Sequence, residues 1–188
     1  KVEIPNNIDW LSNYVFINCT SIKEIYIPNT VTSIGYSAFS GCSSLESINL
    51  PNSLETIGNY TFDGCSSLKS IAIPENVTSI GYCAFYECSS LESIVIPENV
   101  ISIGNYAFHR CNSLKEITCS FTLYNESSHI LKELKRNVSF NFYNNIEGYL
   151  VLDKCIYSYD MKQLIYVDSN IRGEFVVPEG IQEISAYA

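Results

Sequence analysis

A period of 23 residues dominates this sequence. Prolines keep it from Pro5 to Pro97, and buried-type residues follow in the same register. The cysteines that share this spacing are Cys19, Cys42, Cys65, Cys88 and Cys111. A unit this short cannot bury its own apolar side, but stacked copies can bury it against one another. The sequence therefore predicts a solenoid of 23-residue units that starts at Pro5 and runs to residue 119.

Each unit carries the signals of one flat coil. Residues 71–73 read Ile-Ala-Ile, which predicts a short strand with both isoleucines inward and Ala72 outward. Pro74 cannot donate a backbone hydrogen bond and should end the strand. We expect Gly81 to provide a turn with positive φ, and Phe85 to be the large residue that fills the core.

A second period of two units is superimposed on the first. The residue after the last Leu or Ile of each unit alternates in charge, as Lys23, Glu46, Lys69, Glu92 and Lys115. In a stacked sheet each charge would face an opposite one, a contribution of about 0.2–1 kcal/mol per pair. The turns alternate too, with Asn-Tyr at 59–60 and 105–106 but Gly-Tyr at 35–36 and 81–82. We infer that the array grew by duplication of a two-unit block.

The period is interrupted after Cys119, because Ser120 stands where the next proline is due. Residues 126–136 are predicted to form a helix, capped by a serine at 127 or 128 and ending on Lys135 and Arg136. Val138, Phe140 and Phe142 alternate like a strand. Residues 149–157 and 163–167 favour a hairpin with a turn near Asp160.

The repeat resumes, out of phase, around Pro178, and both chain ends fall within a unit. We therefore expect an excerpt of a longer array. The predicted organisation is a repeat array at 1–119, an insert with one helix and a β-hairpin at 120–173, and a truncated resumed repeat at 174–188.

The unit Ile-Pro-x-x-Val-x-x-Ile-Gly-x-x-Ala-Phe-x-x-Cys-x-x-Leu-x-x-Ile resembles the repeat of the BspA-like (Treponema pallidum-type) leucine-rich-repeat family. The resemblance covers 5–119 and resumes at 174–188, and residues 155–166 are similar to a hairpin that interrupts such arrays. It implies an α/β fold: a right-handed solenoid with a parallel sheet on its concave face and a short helical or irregular convex side. It also implies a cell-surface or secreted protein that adheres to host or matrix proteins.

Several other classes of function are disfavoured. The net charge of −9 and the lack of a basic run argue against nucleic acid, and no apolar run approaches the ~18 residues of a membrane span. The periodic cysteines form a column without a Cys-x-x-Cys pair, so we expect inert thiols rather than a metal site or disulfides. Neither His109 nor His129 lies in a catalytic motif. We expect no enzyme activity, no cofactor and no metal.

The predicted binding surface is the outward side of the strand column. Its residues are Lys23, Glu24, Tyr26, Glu46, Asn49, Lys69, Ala72, Glu92, Val95, Lys115 and Thr118. A second candidate is the insert, through Tyr149, Tyr157, Tyr159 and Tyr166, although some of these rings could belong to the core. The leading hypothesis is a protein-binding adhesion or recognition module. The alternative is a structural array that binds only copies of itself.

Overall fold

The computed structural model describes residues 1–131, 134, 138–143, 149–152, 155–158, 161–167 and 176–185. Its strands are β1 (Val2–Glu3), β2 (Trp10–Leu11), β3 (Glu24–Tyr26), β4 (Ser33–Ile34), β5 (Ser47–Asn49), β6 (Thr56–Ile57), β7 (Ser79–Ile80), β8 (Ser93–Val95), β9 (Ser102–Ile103), β10 (Glu116–Cys119), β11 (Ser139–Phe142), β12 (Tyr149–Leu152), β13 (Cys155–Ser158), β14 (Gln163–Val167) and β15 (Glu183–Ile184). Its helices, α1 (Phe121–Glu126) and α2 (Ser128–Leu131), are short, so the described chain is almost all strand and turn.

The structure confirms a solenoid whose units stack through parallel strands. In the first strand column β3 pairs with β1 and β5, and Ile25 lies opposite Ile48, 23 residues later. Farther along, β10 pairs with β8 and β11. At 71–73 only an isolated bridge from Ala72 to Val95 is formed, which separates the two ladders. Ile71 and Ile73 are buried and Ala72 is exposed, as the alternation predicts.

A second strand column was not predicted from the sequence. The segment after each proline turn forms a two-residue strand, and these strands pair in parallel as β2 with β4 and as β6, β7 and β9 in order. Ile57, Ile80 and Ile103 lie opposite one another and are buried. The second column therefore joins β6 to β7 at the step where the first column has no ladder, between β5 and residues 71–73.

A stack of phenylalanines fills the centre of the solenoid. The rings of neighbouring units lie 5.3–5.6 Å apart between centroids, and their planes differ by at most 15°. Phe39, Phe62, Phe85 and Phe108 are fully buried, whereas Phe16, in the first unit, is half-buried. Offset stacking of this kind adds to the burial of the rings. The core is thus one continuous column rather than five separate clusters.

Glycine follows four strands of the second column, β4, β6, β7 and β9. At Gly81 its role differs from the one expected. Positive φ occurs at Gly41 and Gly64, but Gly81 does not have it. Instead, a Cβ on Gly81 would lie 2.6 Å from the backbone nitrogen of Asn59 in the preceding unit. Gly104 is similarly close to Tyr82, at 2.3 Å. Glycine is needed here because two backbones approach too closely for a side chain.

The strand column continues beyond Cys119. In β11, Ser139 lies opposite Glu116 and Phe140 opposite Ile117, so the 23-residue register holds inside the segment predicted as an insert. The helix starts earlier than predicted, because Ser120 caps α1 by accepting a hydrogen bond from the Leu123 backbone at 3.1 Å. The predicted helix end at 135–136 lies outside the described residues.

Antiparallel pairing begins only at β12. Strands β12, β13 and β14 form an antiparallel meander, and β15 joins β14 in parallel. The predicted turn at Asp160 lies outside the described residues, as does the segment 168–175. At the resumed repeat the Ile181 amide donates a hydrogen bond to the Pro178 carbonyl, as the Val77 amide does to the Pro74 carbonyl. The division of the chain at residues 119 and 173 stays a prediction.

Removal of one ring should open a cavity in the phenylalanine stack. We expect Phe62→Ala to lower the free energy of unfolding by roughly 3–5 kcal/mol, because the ring is fully buried between two others. Thermal or urea unfolding would measure the loss. Phe16→Ala is the matched control and should cost less, since Phe16 is half-buried and stacks on one ring only. Equal losses would contradict a continuous stack.

The glycine contacts predict a larger loss of stability at Gly81 than at Gly58, although the two positions are equivalent in the repeat. Gly81→Ala should destabilise the fold by about 1–3 kcal/mol, because its Cβ would overlap the preceding backbone. Gly58→Ala should change stability by less than about 1 kcal/mol, because its Cβ meets its nearest neighbour, the Thr61 hydroxyl, at 3.4 Å. Chemical denaturation of both variants would compare them. A larger loss at Gly58 would refute the close-approach explanation.

Candidate functional site

The predicted binding residues lie on one surface, which we call the strand face. They are outward residues of the first strand column or residues directly before it, and all are exposed except the half-buried Thr118. The side chains of Tyr26 and Val95 are large and about half exposed, at 51% and 55%. The structure thus brings the predicted residues together on one side of the sheet. Their role in binding stays a prediction.

The charge column forms, but most of its members do not touch. The Lys23 ammonium lies 3.0 Å from the Glu46 carboxylate, as predicted. The backbones of Lys69, Glu92 and Lys115 are stacked by hydrogen bonds of 2.9–3.1 Å. In the described part of the chain, however, no salt bridge joins these three side chains, so within this column the predicted facing of opposite charges gives a close ion pair only between Lys23 and Glu46. Both partners of the one bridge are largely exposed, and such pairs contribute little.

Asn49 is occupied by the fold itself. Its side-chain oxygen accepts from the Ile27 amide at 3.0 Å, and its nitrogen donates to the Ile27 carbonyl at 2.9 Å. The carboxamide therefore satisfies backbone groups at the end of β3. Like the ion pair of Lys23 with Glu46, this contact uses the polar group of a strand-face residue to hold two units together.

Five tyrosines form a second exposed surface, which we call the tyrosine strip. Its members are Tyr14, Tyr36, Tyr60, Tyr82 and Tyr106. Successive rings meet edge to face, with centroids 5.3–5.8 Å apart and planes at 60–87°. Four of the rings are 37–50% exposed, and Tyr60 is half-buried. In the sequence, the tyrosines at 36, 60, 82 and 106 indicate a two-unit duplication, but they do not by themselves predict a shared surface.

The two-unit alternation in the sequence explains the geometry of the strip. In each unit the same turn position has positive φ; it is occupied by tyrosine at Tyr60 and Tyr106 but by Cys83 in the unit between them. The tyrosine of that unit, Tyr82, precedes the strained position by one residue, and its amide donates to the Asn59 side chain at 2.8 Å. Because the ring position shifts in alternate units, neighbouring rings meet edge to face.

A cluster of polar and aromatic groups adjoins the last ring of the strip. His109 lies edge-on to Tyr106 and stacks on Tyr86, with centroids 5.6 and 5.5 Å apart. Arg110 forms a salt bridge with Glu87 and lies over the Tyr86 ring. All of these groups except Tyr86 line a cleft of about 730 Å³, whose apolar lining includes Leu114, Ile130 and Val138.

The periodic cysteines are structural. The Cys65 thiol donates to the carbonyl of Phe39 in the preceding unit at 3.2 Å, and Cys42, Cys88 and Cys111 repeat this bond at 3.1 Å. Burial raises the pKa of Cys42 to about 11 and that of Cys111 to about 12. Burial also raises the pKa values of Cys65 and Cys88. No disulfide joins these cysteines in the described part of the chain, and their lack of reactivity stays a prediction.

Two of the four insert tyrosines do not belong to the predicted second surface. Tyr157 and Tyr166 are buried, at 3% and 6% exposure. Tyr166 packs edge to face on Tyr124 and Phe142, with centroids 5.4 and 5.2 Å away. Tyr166 is therefore part of the solenoid core, whereas Tyr157 packs with Leu164 in a separate small cluster of the antiparallel strands. The side chain of Tyr149 and the whole of residue 159 lie outside the description.

The described ranges contain no group of three or more His, Cys, Asp or Glu residues able to hold a metal ion. Among the helices that the structure describes, none has the length and apolar character needed to cross a membrane.

The repeat matches a known family model. Six copies of the BspA type leucine-rich repeat region match over residues 1–115 and 32–158. The chain belongs to the BspA-type leucine-rich-repeat family. No curated protein sequence matches it.

Solved structures of BspA-type and other leucine-rich-repeat proteins share this fold. The leucine-rich repeat protein of T. pallidum is 34% identical, with a TM-score of 0.60 over 62% of this chain and 56% of that one. A leucine-rich cell surface protein of Faecalibacterium prausnitzii is 37% identical, with a TM-score of 0.61 over 63% and 31%. The pneumococcal vaccine antigen PcpA is 25% identical, with a TM-score of 0.56 over 77% and 41%. The chain thus spans from 31% to 56% of the length of these proteins.

The thiol environments predict slow alkylation of the native protein. At pH 9.0, the ordinary pKa of a thiol, a free cysteine is half ionised, but the raised values keep Cys42 and Cys111 protonated. Because the thiolate is the reactive form, iodoacetamide should leave them unmodified in the folded state and modify them after unfolding. Mass spectrometry of both states would measure this.

Cys19 provides an internal control, because it is only half-buried and should react first. Equal labelling of Cys19 and Cys65 in the folded protein would contradict the buried thiol column. Failure of all of them to react after unfolding without reductant would instead indicate disulfides.

Proposed function

We propose that this chain is a non-catalytic protein-binding segment of a cell-surface or secreted protein, and that it binds a host or extracellular-matrix protein. The observation that carries the proposal is the strand face, which presents Tyr26, Val95 and alternating lysine and glutamate side chains on one side of the sheet. Proteins recognise one another through such surfaces, in which a few side chains, often tyrosine, supply most of the affinity.

The relatives support the location. The F. prausnitzii neighbour is a cell surface protein, and PcpA is a vaccine antigen. No catalytic step is part of the proposal. The buried thiols are held protonated by their surroundings, and the ring of His109 is packed between two tyrosines.

Binding to purified extracellular-matrix proteins tests the proposal. The chain is immobilised, and each matrix protein is passed over it in a surface plasmon resonance experiment. We expect saturable binding of at least one of them. The double variant Tyr26→Glu with Val95→Glu should weaken that binding about tenfold or more, because it places charge at the centre of the contact.

Ile101→Glu is the matched control. Ile101 is 72% exposed and directly precedes β9 in the second strand column, so its replacement changes surface charge away from the strand face. It should leave affinity unchanged. If no matrix protein binds while the chain sediments as concentration-dependent oligomers, the alternative of a self-associating array is supported instead. Equal loss in all variants would also contradict the proposal.

A further inference from the structure

Asp63 is a partly buried carboxylate beside the tyrosine strip that lacks a cationic partner. It accepts one hydrogen bond, from the Ser40 hydroxyl at 3.3 Å. Across the described stretches of the chain no lysine, arginine or histidine pairs with it. Burial, and then the charge of Glu87, raise the pKa of the Asp63 carboxyl. A cation placed at this point would therefore relieve an electrostatic cost that the fold leaves uncompensated.

Asp63 lies within electrostatic reach of the middle of the strip. Burial first, and then the charges of neighbouring groups that include Asp63, raise the pKa of Tyr60. The Tyr60 ring contacts Tyr36 on one side and Tyr82 on the other, with centroids 5.4 and 5.3 Å away. A ligand that follows the strip from unit to unit would pass this carboxylate.

The chain already contains one example of the recognition that these groups could provide. The Arg110 guanidinium carbon lies 5.7 Å from the centre of the Tyr86 ring, and the same guanidinium forms a salt bridge with Glu87. Tyrosine faces attract cations through their quadrupole, and an adjacent carboxylate fixes the position of the cation. Tyr86 stands one 23-residue period after Asp63, so the ring that Arg110 contacts and the Asp63 carboxylate belong to neighbouring units.

We propose that the tyrosine strip, together with Asp63, binds an extended basic polypeptide segment whose arginine or lysine side chains lie over the tyrosine rings. One of these cations pairs with the Asp63 carboxylate. The net charge of −9 favours a basic partner at long range and repels nucleic acid. This site is separate from the strand face, and it stands or falls independently of the proposed function.

The Asp63 carboxylate favours a basic peptide over an uncharged sugar chain as the ligand of the strip. Both ligands could use an aromatic surface, but only a cation makes use of Asp63. The edge-to-face arrangement also repeats in every unit from Tyr14 to Tyr106, and this repetition suits a chain with cations at regular intervals. Repeated weak contacts along one chain combine into a measurable affinity.

A fluorescent Arg-Gly repeat peptide is the probe, and its binding to the whole chain is followed by anisotropy at physiological ionic strength. The control peptide carries citrulline in place of arginine, which keeps the shape and removes the charge. We expect the arginine peptide to bind and the citrulline peptide to bind at least fivefold more weakly. Equal affinity for the two peptides, or no binding of the arginine peptide, would overturn the proposal.

Variants of the chain then locate the site. Tyr82→Leu and Asp63→Asn should each weaken binding about two- to fivefold, which is the scale of one exposed cation–π contact or ion pair. Tyr82→Phe keeps the ring and should bind like the parent chain. Circular dichroism and melting curves would verify that each variant is folded, and the phenylalanine variant gives a reading even if the leucine variant unfolds.

Two further variants exclude a general effect of charge or aromatic content. Tyr26→Leu removes an exposed tyrosine from the strand face, and Glu55→Gln removes an exposed charge elsewhere. Both should leave the affinity for the arginine peptide unchanged. Losses as large as those of Tyr82→Leu and Asp63→Asn would mean that the peptide binds the acidic surface at large. Tight binding of neutral oligosaccharides, lost in Tyr82→Leu but kept in Asp63→Asn, would assign the strip to sugars instead.

Discussion

Backbone hydrogen bonds between successive units hold this solenoid in register, and every column of side chains depends on them. The bonds are not confined to strands. In the turns, the amides of Phe39, Phe62 and Phe85 donate to carbonyls of the next unit at 2.8–3.0 Å. Since the bonds recur every 23 residues around the whole coil, a residue must face its counterpart in the next unit. A one-residue slip would break all of these bonds together.

The fixed register restricts the residue type at inward positions more than at outward positions. An inward side chain must fit its copies above and below, which explains why phenylalanine stacks on phenylalanine and why a thiol recurs where a carbonyl of the preceding unit needs a donor. Outward positions carry no such requirement. The strand face varies from tyrosine at 26 to alanine at 72 and valine at 95, while the inward position beside each of them is a buried isoleucine. Surfaces of this protein can therefore diversify while the core stays uniform.

The repeat itself made much of the fold predictable. Period, strand direction, phenylalanine core and inert thiols all follow from inward positions, where one residue type recurs because burial leaves few choices. The second strand column was missed because a two-residue strand such as β7 is too short to show alternation. The role of Gly81 was misjudged because a close approach between units leaves no local signal. The helix start was misplaced because the Ser120 cap stands in the position of a proline.

The tyrosine strip shows what sequence analysis can overlook when it assigns a pattern to history alone. Duplication of a two-unit block accounts for the origin of the alternation, but the rings meet edge to face because of it. Identical turns in every unit would place all the tyrosines at one position, directly above one another. With the shift by one residue the rings meet edge to face instead, and four of the five are 37–50% exposed. The alternation therefore sets the angle between neighbouring rings, and with it the surface that the strip presents to the proposed ligand.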